Sequence, residues 1–171
     1  LCKVVRPDTG MAAFGYNNVG EMIWRAEGTS GSATSCDEAS VPSVHRVVLT
    51  YDNVGALKTE DFPDSTPDRQ YTYDNNGNLK SLTTGTASWQ YQYNSLNLPQ
   101  SETLSIDGRN FALTSGYDSL GSVASLQYPS GAVVDFAPNA LGQATKAGTY
   151  ASGVSYYPNG QLKQFTYGNG I

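Results

Sequence analysis

Hydrophobic and polar residues alternate along this chain in short runs, and no long stretch carries an apolar residue at every third or fourth position. Tyr71-Thr72-Tyr73, Trp89-Gln90-Tyr91-Gln92-Tyr93 and Phe165-Thr166-Tyr167 place an aromatic at every second position. That is the period of a β-strand with its aromatics on one face. Many of these runs stop at the same signal, an aromatic followed by Asp or Asn, two variable residues and Gly. The signal reads Tyr16-Asn17-Asn18-Val19-Gly20, Tyr51-Asp52-Asn53-Val54-Gly55, Tyr73-Asp74-Asn75-Asn76-Gly77 and Tyr93-Asn94-Ser95-Leu96-Asn97. It continues as Tyr117-Asp118-Ser119-Leu120-Gly121, the decayed Pro138-Asn139-Ala140-Leu141-Gly142, and Tyr156-Tyr157-Pro158-Asn159-Gly160. One long interval apart, between Gly20 and Gly55, the period is about 21 residues.

The chemistry of the signal is that of a turn. Asp or Asn in the second slot accepts hydrogen bonds from backbone N–H groups just ahead, and Gly in the fifth supplies a positive φ without steric cost. Asn tolerates that conformation too, which explains Asn97. A second set of turns, at Gly85, Gly108, Gly131 and Gly148, falls between the first. Each period then holds two strands of about six to eight residues, an ordinary strand length. The expected fold is all-β: antiparallel hairpin repeats forming a continuous curved ribbon, each hairpin paired to the next.

These residues resemble the RHS or YD repeat. The resemblance rests on Tyr-Asp-x-x-Gly at this period, on Leu two positions after the glycine (Leu57, Leu79, Leu162), on Tyr128-Pro129-Ser130-Gly131, and on Phe165-Thr166-Tyr167-Gly168-Asn169-Gly170. It is strongest from about residue 45 to 171. Residues 1–44 read as a divergent N-terminal repeat with a Gly/Ser-rich loop, and 45–171 as the repeat array. Such repeats occur in bacterial polymorphic toxins, in the C component of insecticidal toxin complexes and in teneurins. The resemblance implies a ribbon spiralling into a hollow shell, which encloses a toxic C-terminal segment in the bacterial members and serves adhesion in teneurins. The aspartic self-cleavage motif usual in bacterial members is absent from this sequence, and a chain this short is expected to form a stretch of wall within a larger shell.

The repeat residues singled out as structural are Tyr51, Asp52, Gly55, Tyr73, Asp74, Gly77, Tyr93, Asn94, Tyr117, Asp118, Gly121, Gly142, Tyr156 and Gly160. A ladder of carboxylates at Asp52, Asp74 and Asp118 could bind cations or sugars. Asn in the same slot at 17, 94 and 139 would ruin a general acid and weaken a calcium site, yet it preserves an Asx turn. The turn reading prevails. The recurring tyrosines are read as a packing row, with neighbouring rings stacked on one face.

Composition narrows function further. There are 15 acidic and 10 basic side chains, a net charge of −5 and 39% hydrophobic residues. The acidic balance excludes nonspecific nucleic-acid binding. No apolar run approaches the roughly 20 residues of a membrane helix. Leu1 to Pro7 lacks the apolar stretch of a signal peptide, and without an initiator Met the chain is expected to be a piece of a longer polypeptide. Cys2 and Cys36 form either a single disulfide or two thiols, which leaves the redox compartment open. The only histidine, His45, precedes an expected strand and has no motif that would pair it with Cys36. Two expanded loops are expected, at 27–40 and 61–68.

The leading expectation is a non-catalytic structural segment of an RHS/YD shell, with no cofactor and no metal. Its partners would be the remainder of the shell and an enclosed polypeptide, a C-terminal toxin or effector, in a secreted or cell-surface setting. The competing expectations are a carbohydrate- or cell-surface-binding adhesion module and a self-assembling filament subunit.

Overall fold

The computed structural model describes residues 2–6, 10–29 and 41–170. Two compact units divide the chain, Leu1–Ala87 and Ser88–Ile171. The first carries β1 (Lys3–Arg6), β2 (Gly10–Tyr16), β3 (Met22–Thr29), β4 (Arg46–Tyr51), β5 (Leu57–Asp61), β6 (Arg69–Tyr73) and β7 (Leu79–Thr84). The second carries β8, which starts at the boundary (Ala87–Tyr93), then β9 (Pro99–Ile106), β10 (Arg109–Tyr117), β11 (Val123–Gln127), β12 (Val133–Asp135), β13 (Ala151–Tyr156) and β14 (Leu162–Tyr167). In each unit the pairing is antiparallel and follows sequence order. Helix among the described residues is limited to one 3₁₀ turn, Ser43–His45.

The ladder is less regular than a uniform ribbon. After β12 only isolated bridges continue it, Pro138 with Ala144 and Ala147 with Ala151, and β13–β14 form a separate two-stranded sheet. Pro138 has no N–H to donate, and Ala137 sits at a φ of 41°, so the decayed repeat cannot sustain a strand there.

Alternation decides the faces. Leu49 lies opposite Glu60, Glu60 opposite Arg69 and Tyr71 opposite Leu82, all on one half-buried face of the first unit. On the other face Thr50 bonds Thr59 at 2.7 Å and Thr72 bonds Ser81 at 2.6 Å, both exposed. A shift of register precedes the turns after Thr50, Thr72, Gln92 and Gly116. Each is a bulge that increases the local twist of the strand.

Deep burial is confined to the beginning of the chain. Met11, Ala13, Trp24, Ala26 and Val41 form one cluster, and Trp24 lies so close over Gly15 that a Cβ there would overlap the indole. After Glu60 no described residue is buried. Beyond that point the described residues are half-buried or exposed. Of the loop expected at 27–40, residues 27–29 extend β3, and 30–40 lie outside the described residues. The turn at 62–68 is closed by Asp68, which accepts the Phe62 N–H at 2.9 Å, and by Asp64, which accepts that of Thr66 at 2.9 Å.

Candidate functional site

The repeated turn is built the same way each time. The Asp52 carboxylate accepts the N–H groups of Val54 and Ala56 at 3.0 and 2.9 Å. The Gly55 N–H donates to the Asp52 carbonyl, and the Asp52 N–H donates to the Ala56 carbonyl. The same four bonds recur around Asn17, Asp74, Asn94, Asp118 and Asn139. Gly55, Gly77, Gly121, Gly142 and Gly160 all have φ between 76° and 84°, and Asn97 takes their place at 59°. Asp and Asn are interchangeable because only one carbonyl-type oxygen is used on the backbone. The Asn78 amide, donating to the second oxygen of Asp74, holds that carboxyl below the usual range.

The turns at Tyr128 and Tyr157 keep the backbone pair without the Asx cap. Pro129 and Pro158 follow the first turn residue and fix φ there, while Ser130 and Asn159 accept the N–H groups of Ala132 and Gln161 at 3.4 and 3.1 Å in place of the Asx oxygen.

The tyrosines do something the spacing did not show. Tyr51 donates its hydroxyl to the Met22 carbonyl at 2.8 Å, Tyr73 to Leu57 at 2.8 Å, Tyr117 to Pro99 at 2.6 Å and Tyr156 to Ala144 at 2.8 Å. Each acceptor lies two positions after the fifth-slot residue of the preceding turn. The tyrosine therefore stitches one repeat to the one before it through a carbonyl that the bulge leaves available. Tyr93 ends β8 half-buried. The stacked row of rings expected from the sequence is replaced by these hydroxyl anchors. The aromatic pair in contact among the described residues is Phe165 with Tyr167, 4.8 Å apart and edge-on. Burial, reinforced by nearby carboxylates, pushes the Tyr51 and Tyr73 phenols up.

A polar cluster interrupts the half-buried face of the first unit. Glu60 is 7% exposed. One oxygen meets Arg25 at 3.2 Å; the other meets Arg69 at 3.2 Å and accepts the Tyr71 hydroxyl at 2.7 Å. Burial raises the pKa of this carboxyl, but Tyr71, Arg69 and Arg25 together more than offset it, and it titrates below the ordinary value. Sequence reasoning missed this cluster. Its signal was nonetheless present: Arg25 and Glu60 occupy the same slot, five residues after Gly20 and Gly55, with opposite charges in consecutive repeats.

Open grooves among the described residues include the following. One of about 320 Å³ lies beside Arg25, His45 and Phe62, and one of about 460 Å³ lies between the turns at 139–142 and 157–160. Among the described residues no group of His, Cys, Asp and Glu could hold a metal ion, and no helix is long and apolar enough to cross a membrane. His45 is exposed at the end of the 3₁₀ turn. Cys2 is disulfide-bonded; Cys36 lies outside the described residues.

The family model described as Teneurin YD-shell matches residues 13–167. No curated protein matches the chain in sequence. Among solved structures, that of TcdB2-TccC3 without its hypervariable C-terminal region superposes with a TM-score of 0.73 at 12% identity, covering 99% of this chain and 10% of that one. The crystal structure of TcdB2-TccC3 superposes with a TM-score of 0.73 at 13% identity, covering 98% and 10%. At such identities the likeness is one of fold. The chain spans about a tenth of the length of the structures it matches.

Proposed function

Because the chain belongs to the Teneurin YD-shell family, we propose that it is a non-catalytic stretch of shell wall whose half-buried face lines a space occupied by another polypeptide. The observation that carries this reading is the distribution of burial. After Glu60 the paired hairpins run on through β12, and from there to residue 170 no described residue is buried. A sandwich would bury one face of that sheet against a second layer. A wall leaves both faces partly wet, with aromatics on one and Thr, Ser and Gln on the other. The Asx turns and tyrosine anchors are devices for repeating a hairpin, which supports a structural role for the repeat residues.

One of the similar structures is defined by the absence of a hypervariable C-terminal region. By that analogy the enclosed polypeptide is a C-terminal toxin or effector segment, and the remainder of the shell is the other partner. The disulfide at Cys2 supports an oxidising, secreted or cell-surface setting, and Cys36 is its proposed partner. A glycan-binding role for the tyrosine row is less favoured, because the hydroxyls of Tyr51, Tyr73, Tyr117 and Tyr156 are already committed to backbone carbonyls.

The test is electron microscopy of the longest natural polypeptide containing this segment, combined with limited proteolysis. A closed particle with internal density, and an interior segment cut only after the wall is unfolded, is the expected result. A solid or filamentous particle overturns the reading.

A further inference from the structure

Two polar groups at the groove between the turns at 139–142 and 157–160 are left without partners. The Ser155 Oγ is closed off from solvent and makes no hydrogen bond. Its slot, just before the first aromatic of the marker, holds Thr50 and Thr72 in earlier repeats. Those hydroxyls bond across the strand pair to Thr59 and Ser81. Ser155 stands opposite Gln164 instead, between two shifts of register, and gains no such bond. Native structures rarely keep a buried hydroxyl in that state without a reason. The second group is the Gln143 amide. Its oxygen accepts the Asn139 amide at 3.0 Å, and its Nε2 donors meet no partner among the described residues.

The groove opens where the last marker turn packs loosely on the one before. A Cβ on Gly142 would lie 2.9 Å from the Ser122 hydroxyl, whereas one on Gly160 would lie 3.8 Å from Gln143 Nε2. The space left is about 460 Å³, within the roughly 300–1,000 Å³ of ligand pockets. Its walls are apolar: Leu141, Val154, the Tyr157 ring and Pro158. Leu141 is 81% exposed and Tyr157 50%. No charged side chain lines this groove, in contrast to the one beside Arg25, Glu27, His45 and Asp64. The Tyr156 hydroxyl is already given to the Ala144 carbonyl.

We propose that this groove binds an extended, uncharged stretch of polypeptide. One aliphatic side chain of the ligand packs on Leu141, Val154 and Pro158, and its flanking peptide groups meet Gln143 and Ser155. Chemistry selects that occupant. Gln143 Nε2 only donates, and a serine hydroxyl both donates and accepts; the C=O and N–H groups of a backbone answer both. Ser155 borders the groove, and a turn about χ1 between staggered positions presents its hydroxyl there. A carboxylate or ammonium would be desolvated with no opposite charge to meet it. A sugar would press several hydroxyls against Leu141, Val154 and Pro158, where they find no partner. The site gives the wall a ligand of its own, and it stands whether or not the wall closes into a shell.

Titration of the isotope-labelled chain with acetyl-Gly-Leu-Gly-amide, followed by NMR, tests the site. Saturable shifts are expected at the Gln143 side-chain amide and at the backbone amides of Leu141, Ser155 and Tyr157. The expected dissociation constant is on the order of 1 mM. Acetyl-Gly-Asp-Gly-amide and maltotriose are expected to leave those signals in place. Ser155→Ala removes an unpaired buried hydroxyl, so it is expected to raise the melting temperature by about 2–4 °C. The same variant should weaken the Leu peptide by about three- to tenfold. Leu141→Asn installs the residue that the marker turn already uses at Asn76 and removes an apolar wall, so it should weaken binding too. Leu120→Asn, the same change one repeat earlier, should leave binding intact. The proposal is overturned by an absence of saturable shifts up to the solubility limit of the Leu peptide. Equal binding of the Asp peptide, maltotriose binding in the peptide's stead, or equal weakening by Leu120→Asn and Leu141→Asn would overturn it as well. A Ser155→Ala chain that melts lower with its affinity intact would make the hydroxyl a structural group and sink the site.

Discussion

At the scale of single residues, two side chains of each repeat carry unequal amounts of visible information. The second-slot Asp or Asn announces itself, because its exchange between Asp52, Asp74 and Asp118 and Asn17, Asn94 and Asn139 is what an Asx turn allows. Asp118→Asn is therefore expected to leave the melting temperature nearly unchanged, while Asp118→Ala removes the acceptor for the Leu120 and Ser122 N–H groups. At about 0.5–1.5 kcal/mol per hydrogen bond, and with one of these exposed, the Ala variant should lose about 1–2 kcal/mol in urea denaturation. Equal losses for Asn and Ala would show that charge, not the turn, holds that slot. The tyrosine hid its role. Its spacing marked it as structural, but a hydroxyl reaching a carbonyl of the preceding repeat depends on where the bulge turns the backbone, and no periodicity of residue types records that.

At the scale of elements, the strands and the repeated turns were legible, and the exceptions have causes. The turn at Tyr128-Pro129-Ser130-Gly131 shares the backbone bonds of the marker turn without its Asp or Asn, because Pro129 fixes φ and Ser130 accepts the Ala132 N–H. The polar cluster was hidden because its members lie on three strands: Arg25 on β3, Glu60 on β5, and Arg69 and Tyr71 on β6. Arg25 lies opposite Val47 and Leu49 opposite Glu60, so Arg25 spans β4 to reach the carboxylate. Glu60 fixes the relative register of strands from successive repeats. Removing one partner of a buried pair costs about 3–5 kcal/mol, and the partly exposed arginines reduce that here. Glu60→Gln is expected to lose about 2–3 kcal/mol at pH 7. Because the folded pKa of Glu60 is lowered, its contribution is complete above the ordinary carboxylate range and is lost as pH falls through the lowered value. The parent should therefore lose its advantage over the Gln variant on acidification, in parallel denaturation curves at neutral and acid pH. A constant difference between the two would assign the loss to shape, not charge.

At the scale of the whole molecule, the modest hydrophobicity already suited a thin wall, but the position of the buried cluster was not legible. Met11, Ala13, Trp24, Ala26 and Val41 do not share the period of the array, and alanines buried at 1% look like any others in a sequence. The region that reads as most divergent is therefore the one with a core. In repeat arrays stability is set locally, by each repeat and its neighbours, so these two regions should open at different free energies. In native-state hydrogen exchange the amides of β2 and β3 are expected to be the slowest, held by Trp24 packed over Gly15 on the facing strand. Those of β14, whose six side chains are all exposed, should be the fastest among the strands. Strands β9 and β10 should fall between, protected by two-sided pairing without a core beneath them. Uniform protection across all of these strands would mean that the array unfolds as one cooperative block, and that the wall derives its strength from pairing along its length with no help from the cluster at its beginning.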